Sequence, residues 1–281
     1  MTATDTPSAT ISTDSLAHEP ALIAVQDVTM RFPIPKRYRE LVLSPLKRRR
    51  TSVALLHANL NVQTGDRIAL MGPNGAGKTT LLKLIAGALL PTEGKVFVNG
   101  HSTVEQNALA RKSVGFVFNE ERSFFWRLTG AQNLEFFGAL DNLYGKQLRE
   151  RIEHALEVVG LKDAGEKAVY TYSSGMKQRL AIARVLIAEP DVFILDEPTR
   201  ALDPMACDLL VDLILSTMYR NSRKTLLIAT HRPEEASLLC NKLIVVGGGR
   251  IIGGESMEGL EQKGLTVLEY YRKLMMHEER A

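Results

Sequence analysis

The chain has 281 residues, 45% apolar and 24% charged, which is ordinary globular usage for one large domain or one domain with a small appendage. Its 35 basic and 32 acidic residues leave a net charge of +3, too slight to indicate nucleic acid unless the positive side chains cluster. Cys207 and Cys240, far apart and without metal-like spacing to histidine, support neither a disulfide framework nor a structural zinc site, and no apolar run approaches the ~20 residues of a bilayer span.

Residues 1–20 are rich in Thr and Ser and lack a basic start and an apolar core, so they read as a disordered leader rather than a secretory signal. From Ala21, ALIAVQDVTMRF predicts an edge strand, stopped by Pro33 and Pro35. A basic stretch follows, with Lys36, Arg37, Arg39, Lys47, Arg48, Arg49 and Arg50 around an apolar segment at 41–46. It reads either as a solvated insertion in a hairpin or as a surface for a partner or lipid headgroups. Residues 60–62 and 66–71 predict strands, the second running into a glycine-rich turn. The helix after it, 79–86, sets Leu81, Leu84 and Ile85 on one face and stops at Gly87. Strands are predicted at 95–99 and 113–118. An irregular stretch then passes into a helix near Thr129, and a second helix, 149–159, is closed by Gly160.

Residues 173–187 form a predicted helix with a polar, glycine-bearing start, and 191–195 a strand apolar enough to be buried on both faces. A helix at 207–219, a buried strand at 224–230 and a helix over 233–239 come next. Two strands, 243–246 and 250–252, are joined by Gly247-Gly248-Gly249, and an amphipathic helix is expected over 266–281. Alternating strands and helices of these lengths imply an α/β fold with a sheet covered on both sides.

Gly72, Pro73, Asn74, Gly75, Ala76, Gly77, Lys78 and Thr79 match the eight-residue phosphate-loop pattern between a strand and a helix. Gly75 and Gly77 leave backbone N–H groups free to curl round an anion, and the helix start adds partial positive charge behind them. Lys78 is expected to reach the β- and γ-phosphates and Thr79 to offer its hydroxyl to Mg²⁺; Thr80, next on the helix, is counted with the nucleotide-binding set. ATP or GTP binding follows from this motif. The apolar strand 191–195 ends in Asp196-Glu197-Pro198, where an α/β sheet gathers its ligands. Asp196 is the expected metal-coordinating carboxylate, and Glu197 is placed to polarise an attacking water, so the two motifs together imply hydrolysis.

GPNGAGKT, the segment Tyr172-Ser173-Ser174-Gly175-Met176-Lys177-Gln178-Arg179, the strand end ILDEPT and the triplet Ala229-Thr230-His231 occur in that order. On these four motifs the chain resembles the ATP-binding subunit of ABC transporters over residues 21–255. The resemblance implies a P-loop NTPase cassette, α/β, with a mainly parallel central sheet, an antiparallel β edge subdomain, a helical signature subdomain at about 120–187 and a helical tail at 256–281. It implies that Phe32 stacks on adenine, or else is an edge-strand core residue. Ser173, Ser174 and Gly175 correspond to the signature that contacts the γ-phosphate of ATP held by a second copy, so two copies meet head to tail around two ATP. Ser174 and Met176 depart from the commonest wording there, which has Gly and Gln.

His231 corresponds to the switch histidine that touches the γ-phosphate and supports Glu197. Asp203 belongs to the loop that signals between subunits, with Arg200 and Ala201 in place of the more familiar Ser-Gly. The family's Mg²⁺-sensing glutamine is replaced by Asn119, whose amide is one methylene shorter, with Glu120 as the alternative. Phe124, Phe125 and Trp126, between arginines, read either as an interface hot spot for a membrane subunit or as packed helical-subdomain core.

The implied partners are a second copy of this chain and two copies of a separate transmembrane permease, with no nucleic acid, at the cytoplasmic face of the inner membrane. The wording YSSGMKQR and ERSFFWRLTG resembles exporters of the ABC-2 type, including the polysaccharide group. Cargo remains open between a polysaccharide or lipid-linked glycan and a drug, lipid or antibiotic. A soluble ABC-type ATPase acting on ribosomes or DNA is the alternative.

Overall fold

Alternation along β3 (Arg67–Met71) sends Ile68 and Leu70 to one side of a sheet and Ala69 and Met71 to the other, and all four are buried. A strand apolar on both sides needs cover on both. The computed structural model supplies it, and describes residues 21–34, 51–117, 124–200, 202–220 and 223–278. β3 lies inside a sheet with β6 (Val114–Val117), β7 (Val192–Asp196), β8 (Thr225–Ala229), β9 (Lys242–Gly247) and β10 (Arg250–Ser256), in the order β10-β9-β3-β8-β7-β6. The pairs are parallel except β9 with β10. Every residue of β7 and β8 is buried, which fits their unbroken apolar runs. Because β3, β8 and β7 are parallel neighbours, their carboxyl ends open along one edge, and the chain segments that follow them carry the motif residues.

A second, antiparallel sheet has the order β2-β1-β4-β5, from β1 (Ile23–Pro33), β2 (Thr51–Val62), β4 (Glu93–Val98) and β5 (His101–Ser102). Helix α1 (Lys78–Ile85) lies between the two sheets, with Leu81, Leu82, Leu84 and Ile85 fully buried. On the opposite side of the large sheet pack α3 (Gly130–Leu140), α4 (Gly145–Val158), α5 (Ser174–Ala188), α6 (Pro204–Arg220) and α7 (Pro233–Leu239). Of these five helices three have starts capped by side chains: Thr129 and Gln132 form a reciprocal capping box on α3, Ser173 accepts from Met176 N on α5, and Asp203 accepts from Ala206 N on α6. The chain continues beyond β10 in α8 (Met257–Gln262) and α9 (Val267–Glu278), which buries Val267 and packs Tyr270, Tyr271 and Leu274 on the same core.

Several elements differ from the sequence expectation. β2 is one strand of 12 residues, although only 60–62 were expected; its other residues pair with β1 through register shifts, and its burial is broken by exposed positions, which blurs the local alternation. α6 begins at Pro204, not 207, because the Asp203 cap and a proline in the first turn start it earlier. The short α2 (Asn107–Lys112) and β5 were not expected; each is six residues or fewer and carries little periodicity, while α8 and α9 divide the expected helical tail in two. The leader 1–20 and the basic cluster 36–50 lie outside the described residues. Among the described residues no helix is long and apolar enough to cross a membrane, and Cys207 and Cys240 are buried free thiols.

Candidate functional site

A cavity of about 510 Å³ opens at the carboxyl ends of β3 and β7. It is lined by the phosphate loop from Asn74 to Thr80, by Asp196 and Glu197, and by Ala54, Lys83 and Arg200. The loop is held from behind by chain distant in sequence: Gly249 N donates to Ala76 O at 3.2 Å and Leu56 N donates to Gly249 O at 2.8 Å. Gly72 and Gly77 allow that closeness. A Cβ on Gly72 would lie 2.1 Å from Val246 O, and one on Gly77, where φ is +108°, would lie 2.6 Å from Ala54 O. Gly77→Ala is therefore expected to cost at least ~1–3 kcal/mol from backbone strain alone. Thermal unfolding without nucleotide checks it; an unchanged midpoint would contradict the close approach of β2.

Lys78 is 5% exposed, and its ammonium donates to Gly72 O at 2.7 Å and Pro73 O at 3.1 Å, so it braces the loop from inside. Burial pulls its pKa below the ordinary lysine value, against the opposing pull of the Glu197 and Asp196 carboxylates. Asp196 is also buried, and desolvation raises its pKa while the Thr79 hydroxyl, donating to its Oδ1 at 3.1 Å, works the other way. Thr79 and Asp196 thus present two hard oxygen donors on one wall of the cavity.

Glu197 follows β7 with φ at +47°, a left-handed conformation that costs a non-glycine residue ~1–3 kcal/mol. Its N–H donates to Ala229 O at 2.9 Å, tying the ends of β7 and β8 together. The Glu197 carboxylate lies between two cations or potential cations: Arg200 Nη1 at 3.3 Å from Oε2 and His231 Nδ1 at 3.9 Å from Oε1. Glu197 is nearly buried, whereas Arg200 and His231 are open to solvent.

The fold therefore brings Lys78, Thr79, Asp196 and Glu197 into one cavity, with His231 at its carboxylate. It does not bring Ser173, Ser174, Gly175, Asp203 or Phe32 to the lining. Ser173 and Ser174 lie exposed at the start of α5, where Gly175 abuts the start of α6: a Cβ there would sit 3.4 Å from Ala206 Cβ. Asp203 is exposed and spends one carboxylate oxygen on the α6 cap. Phe32 is partly exposed on β1, paired with Ser52. Asn119 and Glu120 lie outside the described residues. The aromatic run divides. Phe124 packs edge-on to Phe137 at 6.1 Å with the Arg184 guanidinium over both rings, while Phe125 and Trp126 are 47% and 65% exposed.

Sequence reasoning missed Ala54, Lys83 and Arg200 as lining residues. Lys83 and Arg200 carried a usable signal, one helical turn beyond Thr79 and three residues beyond Glu197. Ala54 carried none, because only strand pairing across the molecule places it there.

The family model described as "ABC transporter" matches residues 55–200. The Nod factor export ATP-binding protein I of Cupriavidus metallidurans is 37% identical over 223 residues, 78% of this chain and 72% of its own length. The taurine import ATP-binding protein TauB of Jannaschia is 35% identical over 224 residues, 80% and 77% of the two chains. The dimeric post-hydrolysis structure of the ATP-binding cassette MJ0796 bound to ADP and Pi superposes with a TM-score of 0.71 at 26% identity, covering 84% of this chain and 98% of that one. With its phosphate loop, acidic strand end and cavity in place, the chain belongs to the ABC transporter family and is one of its ATP-binding, ATP-hydrolysing cassettes.

Proposed function

We propose that this chain closes as a head-to-tail dimer around two ATP and that closure drives export through separate membrane subunits. The observation that carries the reading is the division of the site: Lys78, Thr79, Asp196 and Glu197 share one cavity, while the Ser173 helix start stands exposed outside it. A helix N-terminus with a hydroxyl and a glycine suits an anion that its own chain does not supply. A second copy, turned so that its Ser173 and Gly175 cover the first copy's phosphate loop, supplies one. That the solved relative described above is dimeric and holds ADP and Pi supports this arrangement.

In this reading the loop N–H groups and Lys78 hold the outer phosphates, and the 3.1 Å Thr79–Asp196 pair is the place for Mg²⁺, a hard cation that takes few carboxylates beside phosphate oxygens. When bound, Mg²⁺ neutralises charge on the transferring phosphoryl group. Glu197 orients the attacking water and receives its proton, and His231 holds the Glu197 carboxylate toward the γ-phosphate. Phe32 borders the base, and Asp203 lies at the contact between copies. ATP touches both copies only when they are closed, so its differential binding is what moves the attached subunits. The cassette then sits at the cytoplasmic face of the membrane, held there by two permease subunits.

Export is supported by the relative named for Nod factor export, with a polysaccharide or lipid-linked glycan as the cargo of this reading; the relative named for taurine import, of similar identity, supports the opposite direction. Purification from detergent-solubilised membranes with mass analysis tests the reading. A co-purifying chain with several spans of ~20 apolar residues is expected. Recovery with ribosomes or DNA instead would contradict it, and uptake rather than efflux by the reconstituted complex would contradict the direction.

A further inference from the structure

Glu235 is 4% exposed, has no part in the cavity lining, and spends its carboxylate on two hydroxyls that flank the site. Thr199, two residues after Glu197, donates to its Oε1 at 2.5 Å across 36 residues of sequence. Thr230, immediately before His231, donates to its Oε2. The Thr230 hydroxyl also accepts from Arg232 N at 3.0 Å, so the turn that carries His231 is pinned on both sides of the imidazole. One buried carboxylate therefore fastens the segment after Glu197 to the segment around His231.

We propose that Glu235 is a positioning residue for ATP hydrolysis: it sets the separation between the Glu197 carboxylate and the His231 ring. The geometry gives such a device a place, beside the weaker link from Arg232 through the Cys207 thiol to Thr199 O. Glu197 holds a left-handed backbone that persists only where neighbours over-determine it, and the backbone bond from Glu197 N to Ala229 O fixes only one end of the segment. Its 3.9 Å approach to His231 then depends on how Thr199 and Thr230 are held. First turn of α7 and β7–α6 connection are joined by this contact, so neither can shift without the other. An ångström of misplacement at a reacting pair costs up to ~100-fold in rate.

This inference rests on the reading of Glu197 and His231 given above, so Glu197→Gln is the control. If that variant turns over ATP normally, the reading itself fails. With the control inactive, steady-state turnover and fluorescent-nucleotide affinity are measured for Glu235→Ala, Glu235→Gln, Thr230→Val and the Thr230→Val/Glu235→Ala double variant, with melting midpoints alongside. Glu235→Ala is expected to lower kcat by about 10- to 100-fold with KM and nucleotide affinity within about twofold. Glu235→Gln, which keeps a group able to bond both hydroxyls, should recover to within about threefold of the parent. Thr230→Val, nearly isosteric and so a safeguard against misfolding, should lower kcat as Glu235→Ala does, and the double variant should be no worse than either single. Additive losses, a parallel fall in nucleotide affinity, a Gln variant as slow as the Ala variant, or unchanged kcat would each overturn the proposal.

Discussion

Glu197→Gln is expected to lower ATP turnover by about 10²–10⁴-fold, the contribution typical of a positioned general base, while nucleotide affinity stays within a few-fold of the parent. The amide preserves the shape of the side chain and can still bond Arg200 and water, but it accepts no proton. The loop proposed to hold the phosphates, whose residues from Asn74 to Thr80 line the cavity, is untouched. Removing one negative charge beside Asp196 also relieves repulsion toward incoming phosphates, so affinity has no reason to fall. Single-turnover hydrolysis and a nucleotide titration on the same preparation separate the two effects. Hydrolysis at the parental rate would remove Glu197 from the chemistry.

Lys78→Ala is the second large effect, and it falls on binding. In the proposed reading the ammonium supplies a point charge for the outer phosphates; it also bonds Gly72 O and Pro73 O, so its loss slackens the loop as it removes the charge. Hydrogen bonds to charged groups contribute ~1.5–3 kcal/mol each, so losing two charge-assisted bonds from the ammonium to phosphate oxygens would amount to roughly 100-fold or more in affinity. Two carboxylates, Asp196 and Glu197, would then face the phosphates with less compensation, which works in the same direction. Isothermal titration with ATP should show the weakened binding, while the melting midpoint moves little because a partly desolvated charge is also removed. Unimpaired ATP affinity would mean that the phosphates lie elsewhere.

The legible parts of this protein are those in which neighbours in sequence remain neighbours in space. The phosphate loop between β3 and α1, the acidic end of β7 and the Ser173 start of α5 each occupy one short stretch, and each carries its physical reason locally. The first half of β2 was not legible, because Thr51, Ser52 and Val53 are exposed, only Leu55 is buried and the strand slips register against β1; with it went Ala54, whose carbonyl abuts the loop at Gly77. Glu235 was illegible for the same reason. In sequence it is an acidic residue in the first turn of a short helix, an ordinary solvated position, and only the return of α7 toward the end of β7 gives it Thr199 and Thr230. The aromatic run offered two readings: Phe124 packs inward against Arg184, as the core reading requires, while Trp126 faces out, which the core reading does not cover.

Sedimentation of Glu197→Gln with saturating Mg-ATP bears most directly on the claim that ATP is enclosed by two copies. The expected result is a species of twice the monomer mass that reverts to monomer with ADP, and that Ser173→Arg, placed at the exposed start of α5, prevents although the single copy still binds ATP. A protein that stays monomeric with ATP bound would contradict the account.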